Sequence, residues 1–337
     1  MSDHGGGTRW RYRPPAAGRP VQRAAPPPPA PGALYETADL PAGARALVKR
    51  IGGTPLIPLP SPRPSVRIYG KAEWFNPGGS VKDRPAWAIV SEALAAGRIG
   101  RRRLLDASSG NTAIAYSMLG AAIGFGVTIC LPASASRERR RTLDAYGAEL
   151  VITDALEGSD GAIRWARELA GAEPDHYWYA DQYGNAANWR AHYHSTAEEV
   201  WHQTRGGVTH FVAGLGTTGT LVGAGRRLRE LNPGIRVIGV QPAEPLHGIE
   251  GLKHLETAIR PSIYDPAVPH AQVGVETEEA QARARRLARE AGILAGVSSG
   301  AAYAACLRVA AEVESGVIVT VLPDGGSRYL SESWWHE

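Results

Sequence analysis

The chain has 337 residues, a mass of 35.8 kDa, 43% hydrophobic residues and a net charge of +4. That length suits two domains or one large one, and the apolar content allows a sizeable core. No apolar run approaches the ~20 residues of a spanning helix, two cysteines make neither a disulfide framework nor a cysteine-rich zinc site, and so weak a positive balance is poor evidence for nucleic acid.

Cys130 and Cys306 sit in apolar runs, "VTICLP" and "YAACLRV", and read as buried reduced thiols, which fits a cytoplasmic protein. Among 37 basic residues only four are lysines: Lys49, Lys71, Lys82 and Lys253. We attribute the arginine bias to base composition, and it makes each lysine conspicuous.

Residues 1–34 are rich in proline, arginine, glycine and alanine, and lack the apolar content to offset ordering entropy. They contain no apolar core of a secretory signal. From about residue 50, short β-branched runs alternate with alanine- and arginine-rich stretches. Strands are expected at 66–72, 103–107, 126–131, 149–153, 208–213, 235–241 and 317–322. Helices are expected at 82–97, 111–123, 136–146, 159–171, 186–204, 219–231, 277–291 and 300–314. The alternation predicts an α/β fold with two open, twisted, mainly parallel sheets, their apolar strands covered on both faces. The division read from the sequence is a disordered Pro/Arg-rich tail at 1–45, an α/β domain at 46–190 whose first strand crosses to the other domain, and a second α/β domain at 191–337.

Four short segments carry chemistry. In "NPGGSVKDRPA" (76–86) a turn opens a helix, Ser80 is a candidate N-cap, and Lys82 falls in the first helical turn. A cation there opposes the helix dipole, so its amine is pushed toward the neutral, nucleophilic form. The bland alternative is a surface lysine paired with Asp83. In "SSGNT" (108–112), at a strand's carboxyl end, Ser108, Ser109 and Thr112 offer hydroxyls beside free helix N–H groups, a setting for a carboxylate. Asn111 offers a neutral amide donor. The bland alternative is a plain helix-capping sequence.

"GLGTTGT" (214–220) forms a phosphate cup: glycines let the backbone approach an anion, and Thr217, Thr218 and Thr220 add hydroxyls at a helix N-terminus. It is not a Walker motif. Gly214, Gly216 and Gly219 match the dinucleotide spacing, but the next strand ends in Val240 and Gln241 with no acid for a ribose, so NAD is disfavoured. In "GVSSGA" (296–301), Ser298 and Ser299 either cap the helix at 300–314 or meet a ligand. His192 and His194 lie two apart, would diverge on a helix, and make no metal pair.

In this order, "GSVKDR", "SSGNT", "GLGTTGT" and "GVSSGA" resemble the cysteine synthase/cystathionine β-synthase family of fold type II pyridoxal-phosphate (PLP) enzymes. The likeness runs from "GGTPL" at Gly52 to Ser331 and is nearest the bacterial B-like cysteine synthases, on "HFVAGLGTTGT" and "DGGSRYLS". The resemblance implies that Lys82 carries the cofactor as a Schiff base and that Asn111 faces the cofactor's O3′. It further implies that Gly216, Thr217, Thr218, Gly219 and Thr220 cradle the phosphate and Ser298 meets the pyridine nitrogen. Ser108, Ser109, Thr112 and Gln182 would hold the substrate α-carboxylate. The implied reaction is β-replacement on O-acetyl- or O-phospho-L-serine with sulfide or another sulfur nucleophile, in a homodimer. A sulfur-carrier protein stays open as a donor partner; neither nucleic acid nor a membrane is expected.

The chain departs from the family pattern at Ala113, Ala186, Ala197 and Glu198, where glycine, proline and a Gly-Pro pair are usual. In "EPLHGIEGLKH" (244–254), Lys253 and His254 are either solvated surface residues, the preferred reading, or contacts for an anionic leaving group. Trp334 and Trp335 are expected to cover a dimer or domain surface. Three rivals remain at this point. They are β-replacement with another nucleophile, a serine/threonine dehydratase (which Thr217–Thr218 argues against), and a partner-binding protein using the Arg-rich tail.

Overall fold

The computed structural model describes residues 36–108 and 110–336. Residues 1–35, and so most of the tail expected at 1–45, lie outside them, as does Ser109. Over 36–45 the expectation is corrected, because Thr37–Asp39 forms a 3-10 turn, a helix starts at Ala42, and Leu40 and Ala44 are buried in the core. In chain order the elements are α1 (Ala42–Val48), β1 (Leu56–Leu59), β2 (Val66–Ala72), α2 (Asp83–Ala95), β3 (Arg103–Ala107), α3 (Asn111–Ile123) and β4 (Val127–Pro132). Then come α4 (Arg137–Ala145), β5 (Glu149–Thr153), α5 (Gly158–Ala172), β6 (Tyr177–Tyr179), α6 (Ala186–Ala191) and α7 (Ala197–Gln203). The chain continues with β7 (His210–Gly214), α8 (Gly219–Leu231), β8 (Arg236–Pro242), β9 (Ala271–Val275), α9 (Thr277–Ala291), α10 (Val297–Glu312) and β10 (Gly316–Leu322).

The strands form two sheets. One has the order β1-β2-β10-β7-β8-β9 and is parallel except for β1; the other, β5-β4-β3-β6, is parallel throughout. The early strand β2 therefore sits in the six-stranded sheet beside β10, with Lys71 opposite Val321 and Gly70 opposite Thr320. Apolar clusters cover both faces of each sheet. Helices α9 and α10 lie on one face of the larger sheet, and α6, α7 and α8 on the other. Helices α1 to α4 cover one face of the smaller sheet and α5 the other. This two-sided cover explains why the strands read as continuous apolar runs.

All seven expected strands are present within two residues of their bounds, and three more were missed. β1 carries Pro58 and runs antiparallel at a sheet edge, the one place where a ladder tolerates a residue without an N–H. β6 is three aromatic residues long, and β9 is an edge strand containing Gly274. The expected helix at 186–204 is interrupted by a π turn at His192–Thr196. Trp334 is buried against the α9–α10 side of its own sheet and stacks on Trp335. Both cysteines are buried and unpaired. No helix of the described residues is long and apolar enough to cross a membrane.

Candidate active site

Three of the functional segments, and the 323–329 loop, leave the carboxyl ends of parallel-sheet strands, while Ser298 comes from the start of α10. Residues 73–82 follow β2, 108–110 follow β3, 215–218 follow β7, and 323–329 follow β10. Open α/β sheets place ligands in such a crevice, because helix N-termini and free loop amides converge there. One cavity is lined together by Lys82, Asn111, Gly216, Thr217, Thr218, Thr220 and Ser298. Four regions far apart in sequence thus supply a single site.

Lys82 immediately precedes α2, and its backbone N–H donates to the Ser80 hydroxyl at 3.2 Å. Ser80 therefore satisfies a helix-start donor, close to its expected role. Burial lowers the pKa of the Lys82 amine, opposed only by the charge of Asp324. Asp83 is not a surface partner for it. The Asp83 carboxylate is fully buried and accepts from the Gly78 N–H at 2.5 Å, so it braces the turn ahead of the lysine.

The cup after β7 is tight. A Cβ on Gly216 would lie 2.1 Å from the Gly251 carbonyl oxygen, and one on Gly219 would lie 2.0 Å from Asn188 Oδ1. Neither position has room for a side chain. Thr218 adopts φ +69°, rare for a β-branched residue, at the N-terminus of α8. Its hydroxyl is buried with no hydrogen-bond partner among the described residues. Thr220 Oγ1 lies 3.2 Å from His192 Nε2, and His192 Nδ1 lies 2.9 Å from Thr196 Oγ1. Both nitrogens of this buried imidazole face threonines, and desolvation lowers its pKa, so the ring is neutral.

A helix N-terminus, threonine hydroxyls including an orphaned one, and glycines that admit only backbone fit a phosphate group. The desolvated Lys82 amine fits a carbonyl that condenses with amines. The cavity residues together fit pyridoxal phosphate.

Asn111 Nδ2 donates to Asp324 Oδ2 at 2.7 Å, its Oδ1 accepts from Arg328, and Tyr329 OH donates to Asp324 Oδ2 at 2.7 Å. One of two Nδ2 hydrogens is thus held by the protein and one is left for a ligand. Ser108 Oγ accepts from the N–H groups of Gly110 (3.3 Å) and Ala113 (3.2 Å), which keeps its own hydroxyl hydrogen available. Thr112 Oγ1 donates to Gln182 Oε1 at 2.7 Å, and Gln182 Nε2 donates to the Ala107 carbonyl at 2.8 Å. Thr112 and Gln182 are therefore joined to each other.

Two expectations are corrected. Ser298 and Ser299 do not cap a helix starting at 300: α10 begins at Val297, Gly296 holds the cap position, and both serines lie inside the first turn. Lys253 and His254 are not solvated. Lys253 is 6% exposed, pairs with Asp160 at 2.6 Å and lies over the Tyr183 ring, while His254 is buried against Thr257. An ammonium with so little water needs such a counter-charge.

Sequence reasoning missed Asp324, Arg328 and Glu250, which border the same cavity or its contacts. Asp324 had a signal: it is an acid two residues past the carboxyl end of a parallel strand.

The fold and cavity define a fold type II enzyme built around a phosphate-bearing aldehyde cofactor. Residues 47–324 match the family model described as pyridoxal-phosphate dependent enzyme. The chain belongs to this family, and pyridoxal phosphate is its cofactor. It is 52% identical over 295 residues to a cysteine synthase of Aquifex aeolicus, covering 85% of this chain and 90% of that protein. It is 42% identical over 284 residues to cysteine synthase B of Pseudomonas aeruginosa, covering 83% of this chain and 94% of the relative. Among solved structures, an O-ureido-L-serine synthase superposes with a TM-score of 0.81 at 37% identity, covering 86% of this chain and 94% of that one.

Proposed function

We propose that this protein performs β-replacement on O-acetyl-L-serine with sulfide to yield L-cysteine. The observation that carries the reading is the pairing, in one cavity, of a desolvated Lys82 amine with the Thr217–Thr220 cup and a neutral residue, Ser298. Similarity to cysteine synthases supports the choice of reaction within the family.

Bound pyridoxal phosphate supplies an electron sink that acidifies the substrate Cα and allows the β-substituent to leave. Lys82 would hold the cofactor, and its free amine would take the Cα proton of the substrate; its lowered pKa suits that task. Thr217, Thr218 and Thr220, with the start of α8, hold the phosphate. Asn111 directs its remaining amide hydrogen at the cofactor. Ser298, unlike a carboxylate, places no charge on the pyridine nitrogen, which keeps the sink weak and favours expulsion of the β-group over transamination. Ser108 and the second Nε2 hydrogen of Gln182 are the donors for the substrate carboxylate.

Acetate is favoured over phosphate as leaving group because Lys253, the lysine of the 244–254 segment, is already neutralised by Asp160. A second reading has one specific support. The O-ureido-L-serine synthase shares this scaffold, so a nucleophile other than sulfide fits the same cofactor residues.

The test is the visible spectrum of the holoenzyme with O-acetylserine and O-phosphoserine in separate cuvettes, followed by sulfide. The reading expects O-acetylserine to change the cofactor absorption and sulfide to restore it with release of cysteine. Response to neither donor contradicts it; discharge by another nucleophile but not sulfide favours the second reading.

A further inference from the structure

A buried acid lies beneath the pocket assigned above to the substrate carboxylate. Asp106 is the penultimate residue of β3 and is 0% exposed. Its Oδ1 accepts the N–H of Ala107 at 2.8 Å and its Oδ2 accepts the N–H of Gln182 at 3.1 Å. The two residues it joins also bond directly, the Gln182 side-chain Nε2 donating to the Ala107 carbonyl at 2.8 Å. Asn188 Nδ2 fixes the Gln182 carbonyl at 2.7 Å, and Thr112 holds the Gln182 side chain. One carboxylate thus ties Ala107, just ahead of the 108–112 segment, to Gln182, 75 positions away in sequence.

A charged carboxylate accepts both amides; a protonated one offers a weaker acceptor at one oxygen and leaves a buried N–H poorly satisfied. The groups around Asp106 are Tyr116 from α3, Tyr179 from β6, Cys130 from β4, and Asp181 and Tyr183 from the loop after β6. The cation in these surroundings, Arg167 of α5, bonds the Tyr179 side chain rather than Asp106.

We propose that Asp106 is the positioning residue of the substrate-carboxylate pocket, and that its charge sets how tightly the pocket grips a carboxylate. The proposal rests on the assignment of Ser108, Thr112 and Gln182 to that pocket. Burial raises the Asp106 pKa to about 7, against the two amide bonds that lower it. The charged, organised form therefore prevails above that pH and is lost below it.

The experiment measures the dissociation constant of propanoate for the holoenzyme by calorimetry from pH 6 to 8. Propanoate has no amino group and is ionised across that range, so its own titration does not intervene. Wild type is expected to bind it several-fold more weakly as pH falls through 7. Asp106→Asn is expected to bind about tenfold more weakly at pH 8, with no pH dependence, the size of one lost charge-assisted hydrogen bond. Its KM for O-acetylserine should rise by a similar factor with kcat within about twofold, a split that general loosening of the fold does not produce.

Gln182→Ala is measured in parallel. If it weakens propanoate binding and Asp106→Asn does not, the role of Asp106 is overturned and the pocket stands. If Gln182→Ala has no effect, the pocket assignment fails and the proposal falls with it. Should Asp106→Asn not fold, a flat wild-type profile overturns the proposal and a sloping one supports it.

Discussion

Lys71 and Lys82 lie on either side of one turn, and both lose water on folding, yet their surroundings are opposite. Lys71 is 0% exposed and meets Glu199 at 2.6 Å, the Thr54 carbonyl at 2.6 Å and Gln203 at 3.1 Å. Around it, Arg84 pairs with Glu73 at 2.7 Å and with Glu199 at 2.6 Å, and Thr54 donates to Glu73. Burial lowers the pKa of Lys71, and the charge and hydrogen bond of Glu199 are the chief opposing influence. Lys82 is lowered in the same way with only the more distant charge of Asp324 against it. The first lysine is a charge fully answered, and it ties β2 and α2 to α7. The second is a charge left unanswered at a cavity, where an amine becomes a nucleophile and base.

The comparison is broken most severely at Lys82. Lys82→Ala should lower turnover by about 10²–10⁴-fold and abolish covalent retention of the cofactor, while the thermal midpoint stays near wild type. Steady-state kinetics and calorimetry check the two halves. Removing Glu199 should do the reverse. Glu199→Gln leaves Lys71 with neutral acceptors and should cost about 3–5 kcal/mol of stability, read by denaturant unfolding, with the cofactor spectrum unchanged.

A pH profile sharpens the same contrast. Burial raises the Glu199 pKa, but hydrogen bonding and charge from Arg84 and Lys71 outweigh it and hold the group at about 2, against an ordinary value of 4.5. A depressed carboxylate stabilises fully above its unfolded value, so wild-type stability should decline as pH falls from 4.5 toward 2. That part of the decline should vanish in Glu199→Gln. Thr218→Val should weaken cofactor binding by about tenfold, since one charge-assisted hydrogen bond is lost, and fluorescence titration of the apoenzyme reads it. The smallest effect is expected at the Arg139–Glu250 pair, whose acid is 42% exposed: Glu250→Gln should change stability by less than about 1 kcal/mol in thermal unfolding.

Much of the site was legible because it is local. Lys82, Asn111 and Thr217 sit in strand-to-helix junctions and Ser298 in the first turn of α10 after the short α9–α10 loop, each marked by turn glycines and hydroxyls. The scarcity of lysine made Lys82 stand out, yet it made Lys71 equally conspicuous, and nothing nearby in sequence tells them apart. Glu199 is 128 positions from Lys71, and only the fold brings them together. The same holds for Asp324 with Asn111, and for Asp106 with Gln182. The burial of Lys253 was illegible because its partner Asp160 belongs to a different sheet's helix. Among the strands, the missed ones were edge or three-residue elements whose short or proline-containing runs give no period.

The central claim is that Lys82 carries the cofactor and the buried lysines Lys71 and Lys253 do not. Borohydride reduction of the holoenzyme fixes the cofactor to whichever lysine holds it, and peptide mass mapping can then read all four lysines. The account predicts phosphopyridoxyl label on the peptide containing Lys82 and none on those containing Lys49, Lys71 or Lys253. Label on Lys71, or stoichiometric cofactor with no label on Lys82, would contradict it.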